Sequence, residues 1–198
     1  MKIFKALIIV ILIIAIIYLL YPQVEEEIVI RRDNSPVKGD ADTKIFIFVD
    51  YSSEDTRDFF RNKFQKIVNE FVQTGIVSLY VKDYALSESS QRAAEATRCF
   101  REQKGDEGYF NYVDVLLENQ YNFTTENFII IAEGLNINKF QFESCLDARR
   151  MMSFVERDYM DARGLGITAT PYLFINGQII NGMESYESIR MKILNRKA

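Results

Sequence analysis

Residues 46–60 read FIFVDYSSEDTRDFF, and residues 166–177 read GITATPYLFING. In the first, the apolar run Ile45 to Val49 has the length and continuity of a strand buried on both faces. A short turn follows, and then Phe59, Phe60, Phe64, Ile67, Val68 and Phe71 recur at helical spacing from Thr56 to Val72. In the second, Pro171 precedes another apolar run, Tyr172 to Ile175. That run meets an Asn176-Gly177 pair and a further run from Ile179 to Asn181. Asn-Gly between two such runs predicts a hairpin.

Working outward, Gly75 predicts the end of the helix, and Ile76 to Val81 is the next strand. Strand, helix and strand with short joints make a βαβ unit. Residues 87–164 carry no strand pattern. Helical stretches are expected over 90–103, 109–119, 125–133 and 138–162, with breaks at Gly105, Gly108 and Gly134. A last helix is expected from Ser185 to Asn195. The order is βαβ, a helical block, then ββα: an α/β fold with a helical insertion.

The chain has 198 residues, enough for one domain with a substantial core, and 48% of them are apolar. Histidine is absent, which removes Ser-His-Asp and Cys-His catalysis and the commonest zinc ligand. Two cysteines cannot build a Cys-rich metal site, so no metal or cofactor is expected. The net charge of −4 argues against nucleic acid as a partner.

Lys2 and Lys5 precede an unbroken apolar run from Ala6 to Tyr21. With Ile3 and Phe4 included it reaches the length of a membrane span, and the preceding charges predict a cytoplasmic N-terminus. A cleaved signal peptide is the alternative. It would have a shorter apolar core and a small-residue exit, whereas this run leaves through Tyr21-Pro22-Gln23 into Glu25, Glu26 and Glu27. The expected organisation is a signal anchor over 1–22, a polar tether over 23–42, and a domain over 43–198 outside the cytoplasm.

The two opening segments together resemble the active-site framework of the DsbA-like thioredoxin family. The resemblance extends through SPVKGDADTKIFIFVDY, VKDYALSESSQRAAEATRCF, NYVDVLLENQ and FESCLD, covering roughly 34–196. It implies a thioredoxin fold with an all-helical insertion over about 87–164. It also implies a cis peptide bond before Pro171, since cis bonds are essentially confined to proline. In the family a Cys-x-x-Cys motif opens the first helix, where unpaired N–H groups and the helix dipole make a reactive thiolate. Here those four positions are Ser53, Glu54, Asp55 and Thr56. A hydroxyl has no accessible two-electron couple, so thiol–disulfide exchange at these positions is excluded. As helix-start chemistry the segment makes sense, with Ser52 as a hydroxyl cap and Asp55 three residues on.

The resemblance also implies that the backbone of Ala169 and Thr170, before Pro171, pairs with an extended peptide by strand addition. Cys99 and Cys145 resemble cysteines of many family members. A structural disulfide, two free buried thiols and a redox-active pair are all compatible with them, and an oxidising compartment favours pairing. Asn122-Phe123-Thr124 is a glycosylation sequon. The leading expectation is a non-redox module that binds extended or unfolded protein segments outside the cytoplasm, as a chaperone or assembly partner. The alternatives are a thiol–disulfide oxidoreductase working through Cys99 and Cys145, and a structural subunit of a membrane complex.

Overall fold

The computed structural model describes residues 10–16, 30–32 and 34–195. A five-stranded sheet lies at the centre, in the order β1-β3-β2-β4-β5. Its strands are β1 (Val37–Lys38), β2 (Lys44–Val49), β3 (Ser78–Asp83), β4 (Tyr172–Ile175) and β5 (Gln178–Asn181). β2 pairs in parallel with β3, from Lys44 against Ser78 to Val49 against Asp83. On its other side β2 pairs antiparallel with β4, from Ile45 against Ile175 to Phe48 against Tyr172. β1 and β5 flank this core antiparallel to β3 and β4.

The period-two alternation of β2 divides the core. Ile45, Ile47 and Val49 join Leu79, Val81, Leu173 and Ile175 on one face. Phe46 and Phe48 join Phe174 and Tyr84 on the other. The first face is covered by the helical run that starts at Glu54 and by α6 (Tyr186–Leu194). Helix α1 runs through Glu54–Phe59, a π-helical turn at Phe60–Phe64, Gln65–Ile67 and a second π turn at Val68–Val72. Each π turn adds a residue and rotates the apolar stripe. This keeps Phe59, Phe60, Phe64, Ile67, Val68, Phe71 and Val72 all buried. Gly75, at φ +71°, ends this run in a backbone region that side chains disfavour.

The helical block comprises α2 (Glu88–Glu118), α3 (Thr125–Gly134), α4 (Lys139–Asp147) and α5 (Met152–Gly164). Gly105 kinks α2 at φ +67°, while Gly108 is passed without a break. Phe64 stacks on Phe110 at 5.5 Å and ties α1 to α2. Cys99 in α2 and Cys145 in α4 form a disulfide.

Three expectations change. The sheet takes in Val37–Lys38, which the sequence reading left in the tether; a two-residue edge strand is too short to show a period. β3 extends to Asp83, past the expected end at Val81. The helix expected over 138–162 is two helices, parted where Arg149 takes φ +50° with no glycine or proline to announce it. The last helix of the insertion, α5, also closes the sheet: Ala162, with Leu165 and Ile167 beyond it, covers the Phe46 and Phe48 face. That face is apolar and has to be buried against something.

The anchor expected over 1–22 falls largely outside the described residues. Residues 10–16 are helical and exposed. Among the described residues no helix is long and apolar enough to cross a membrane.

The disulfide closes a loop between residues 46 apart. Replacing both cysteines (Cys99→Ala with Cys145→Ala) is expected to lower the unfolding free energy by about 4 kcal/mol in the chain-entropy limit. Urea denaturation measures this directly, and an unchanged midpoint would rule out a stapling role.

Candidate functional site

β2 delivers Asp50 and Tyr51 to the edge of the sheet where α1 begins. Asp50 is buried and binds on both sides. One carboxylate oxygen accepts from the Ser52 N–H at 2.8 Å and its hydroxyl at 2.6 Å. The other accepts from the Leu86 N–H at 2.9 Å and the Ser90 hydroxyl at 3.3 Å. Asp50 therefore fixes the turn into α1 and the approach to α2 together. The Ser53 N–H donates to the Asp50 carbonyl at 3.0 Å.

Ser53, not Ser52, is the N-cap. Its hydroxyl oxygen accepts from the Thr56 N–H at 3.3 Å. The Ser52 hydroxyl is committed to Asp50, so the expected pairing of Ser52 with Asp55 is not formed. Glu54 and Asp55 are exposed in the first turn, where the helix dipole favours acids. Thr56 is fully buried, and its hydroxyl has no partner among the described residues. Outside this turn, the Arg57 guanidinium donates to the Tyr121 hydroxyl at 3.0 Å, and that hydroxyl donates to Glu54 at 2.6 Å. Arg61 pairs with Glu118 at 2.6 Å, and this bond holds the Glu118 carboxyl below its ordinary pKa.

The second segment faces the first. The Thr170-Pro171 peptide bond is cis, as the family resemblance implies. The Ser53 hydroxyl lies 3.5 Å from the Thr170 carbonyl, to which it donates. Behind it, the Pro171 carbonyl accepts from the Gly182 N–H at 2.9 Å. Thr168 and Ala169 are exposed. Among the described residues the N–H groups of Thr168, Ala169 and Thr170 donate to no backbone carbonyl. Ser53 is thus brought against the loop carrying Ala169, Thr170 and Pro171, while Thr56 is buried behind it with its hydroxyl unpartnered among the described residues. Cys99 and Cys145 lie apart from it, both buried. Tyr51 is fully buried and Tyr172 half-buried.

Beneath the turn lies a net of buried polar groups that the sequence reading missed. The Tyr51 hydroxyl donates to Asp83 at 3.1 Å and shares a hydrogen bond with the Tyr109 hydroxyl. Arg98 donates to both Asp83 and Asp158. Lys82 donates to Asp158 at 2.6 Å and lies 3.2 Å from Asp161. The Asp83 N–H donates to Asp158 at 3.1 Å. Burial pushes the pKa values of Tyr51 and Tyr109 well above the ordinary phenol value. It also pushes the Asp158 carboxyl up, against the pull of Arg98. Burial works against the Arg98 charge, but Asp83 and Asp158 outweigh it and keep the guanidinium protonated. The signal was Lys82-Asp83 directly after an apolar strand: two charges that the next layer had to neutralise.

Among the described residues the site offers one capping hydroxyl, that of Ser53, backbone N–H groups at 168–170 that pair with no backbone carbonyl, and no thiol. Among the described residues no group of three or more His, Cys, Asp or Glu is placed to hold a metal ion.

The chain belongs to the thioredoxin family, whose model matches residues 34–195. Its helical insertion gives it a fold shared with DsbA-like proteins. It is similar to oxidised BdbD from Bacillus subtilis, with a TM-score of 0.76 and 24% identity over 83% of this chain and 93% of that one. Against alpha-DsbA1 from Wolbachia pipientis the TM-score is 0.72, with 22% identity over 83% and 92% of the two chains. Against DsbA from Chlamydia trachomatis it is 0.73, with 22% identity over 85% and 93%. At this identity the likeness is one of fold. No curated protein matches the chain.

Two outcomes are expected. The Ser53→Cys/Thr56→Cys variant should close a disulfide and reduce insulin, with a potential between about −270 and −120 mV. A pair that stays reduced in oxidised glutathione would show that the framework does not hold dithiol geometry. Separately, Asp158→Asn leaves Lys82 and Arg98 short of countercharge in the core. It should cost about 3–5 kcal/mol in chemical denaturation, whereas Glu118→Gln at the surface should cost far less.

Proposed function

We propose that this domain binds extended segments of other proteins by strand addition at the Ala169–Thr170 edge, without exchanging disulfides at residues 53–56. The observation that carries the reading is Ser53 itself. It stands where the family's attacking thiolate would stand, and its hydroxyl is held between the Thr56 N–H and the Thr170 carbonyl. The loop opposite keeps backbone N–H groups unpaired among the described residues, and strand addition needs only such groups. The chemistry has been replaced by a cap, while the recognition edge is intact.

In this reading the Ile- and Leu-rich N-terminal segment holds the domain at the membrane, outside the cytoplasm. The clients are unfolded or extended parts of secreted and membrane proteins, and the activity is that of a chaperone or assembly partner. The oxidoreductase alternative, with Cys99 and Cys145 cycling, is disfavoured by access. Each cysteine is about 1% exposed, so an external thiolate reaches neither without opening the α2–α4 packing.

The test uses the full chain and a labelled extended peptide, beside the same peptide N-methylated at alternate backbone positions. Fluorescence anisotropy should show the unmethylated peptide binding at least about tenfold tighter, because methylation removes the pairing N–H groups. Equal affinity would mean that the backbone edge is not the recognition element.

A further inference from the structure

A second feature lies between α2 and α5, where the capped turn plays no part. A cavity of about 270 Å³ is lined by Ala85, Val155 and Tyr159 with Met152 and Met160. Ala85 and Val155 are buried, while Met152 is 36% and Met160 64% exposed, so the cavity has a fixed floor and a thioether rim. The Tyr159 ring stacks on Tyr84 at 5.3 Å and is held as a wall. The charges in the lining are mostly spent on each other. Glu95, fully buried, takes Arg149 at 2.6 Å and Arg92 at 3.2 Å. What remains is an apolar recess with Glu156 exposed in its lining; it makes no hydrogen bond or ion pair among the described residues but acts electrostatically on Arg149, which lines the same recess.

Two of the stretches of chain that line the recess lead directly into the candidate site. Ala85 adjoins Leu86, whose N–H is held by Asp50, the residue that fixes the turn before Ser53. On the other side, α5 supplies Met152 and Met160 and then runs directly into the loop carrying Thr168 to Pro171. Unbranched, polarisable methionines make an adaptable rim for apolar side chains of differing shape.

We infer that this recess is a specificity pocket for the bound segment, taking one large apolar side chain with a lysine or arginine beside it paired to Glu156. The inference rests on the peptide-binding reading above and adds to it a preference in sequence. Strand pairing alone reads backbone, so selectivity among clients has to come from a side-chain pocket of this kind.

The experiment uses the full chain and two short extended peptides of Ala, Ser and Thr. One carries a Leu next to a Lys; its twin has Ser in place of the Leu. The Leu peptide should bind about tenfold tighter or more, the worth of burying one such side chain. In the Met152→Gln/Met160→Gln variant that preference should disappear while affinity for the Ser twin stays unchanged. Both methionines are exposed, and a thermal melt confirms that the variant folds. Glu156→Gln should weaken the Leu-Lys peptide and flatten its salt dependence. Equal binding of the two peptides, each sensitive to N-methylation, would overturn the pocket and leave the strand edge standing. A preference that survives in the methionine variant would also overturn the pocket. Binding of neither peptide would remove the peptide-binding reading and this inference with it.

Discussion

Lys82 and Asp83 are charged residues at the buried end of a central strand, and the arrangement of the surrounding layers follows from neutralising them. Arg98 comes from α2, Asp158 from α5 and Tyr51 from the turn after β2. Arg98 reaches further, to the Asn34 carbonyl at 2.8 Å, and so ties down the chain as it approaches the sheet. Four separate parts of the sequence meet at one buried net. A net of this kind is roughly neutral in stability against an apolar replacement. Its effect is positional, because any other placement of α2 or α5 strands a charge in the core.

The candidate site sits directly above this net and inherits its rigidity. Tyr51 is anchored below, Asp50 clamps the turn from the side, and Ser53 then falls naturally at the helix N-terminus. The dipole that would stabilise a thiolate stabilises Glu54 and Asp55 instead. The buried Thr56 hydroxyl and the neighbouring Arg57 Nε, both without a partner among the described residues, are the signs of local cost.

Much of the fold was legible because its signals are local. Ile45 to Val49, the Phe-rich stripe of α1 and the Asn176-Gly177 hairpin each declare themselves within a few residues. The site positions 53–56 and 169–171 were legible through family resemblance, since the two segments are more than a hundred residues apart. The capping residue was misjudged by one position because Ser52 and Ser53 are both competent caps. Asp50 decides between them by taking the Ser52 hydroxyl. The break at Arg149 was hidden because nothing in the local sequence forbids helix there. It becomes intelligible only with Glu95, a buried carboxylate on another helix that Arg149 meets.

The sequence by itself determined the strand and helix periodicities, the loss of the dithiol, and the absence of histidine chemistry. The periodicities and the absence of histidine depend on residue type and near neighbours alone, while the missing dithiol is read from the family resemblance. Only the tertiary structure decided which serine caps α1, that α5 closes the second face of the sheet, that Cys99 meets Cys145, and that Lys82, Asp83, Arg98 and Asp158 form one net. Each of these is a pairing between residues distant in the chain. Its partner is chosen by burial, where an unpaired charge, an uncovered apolar face or an unsatisfied hydroxyl is costly, and burial is a property of the assembled layers.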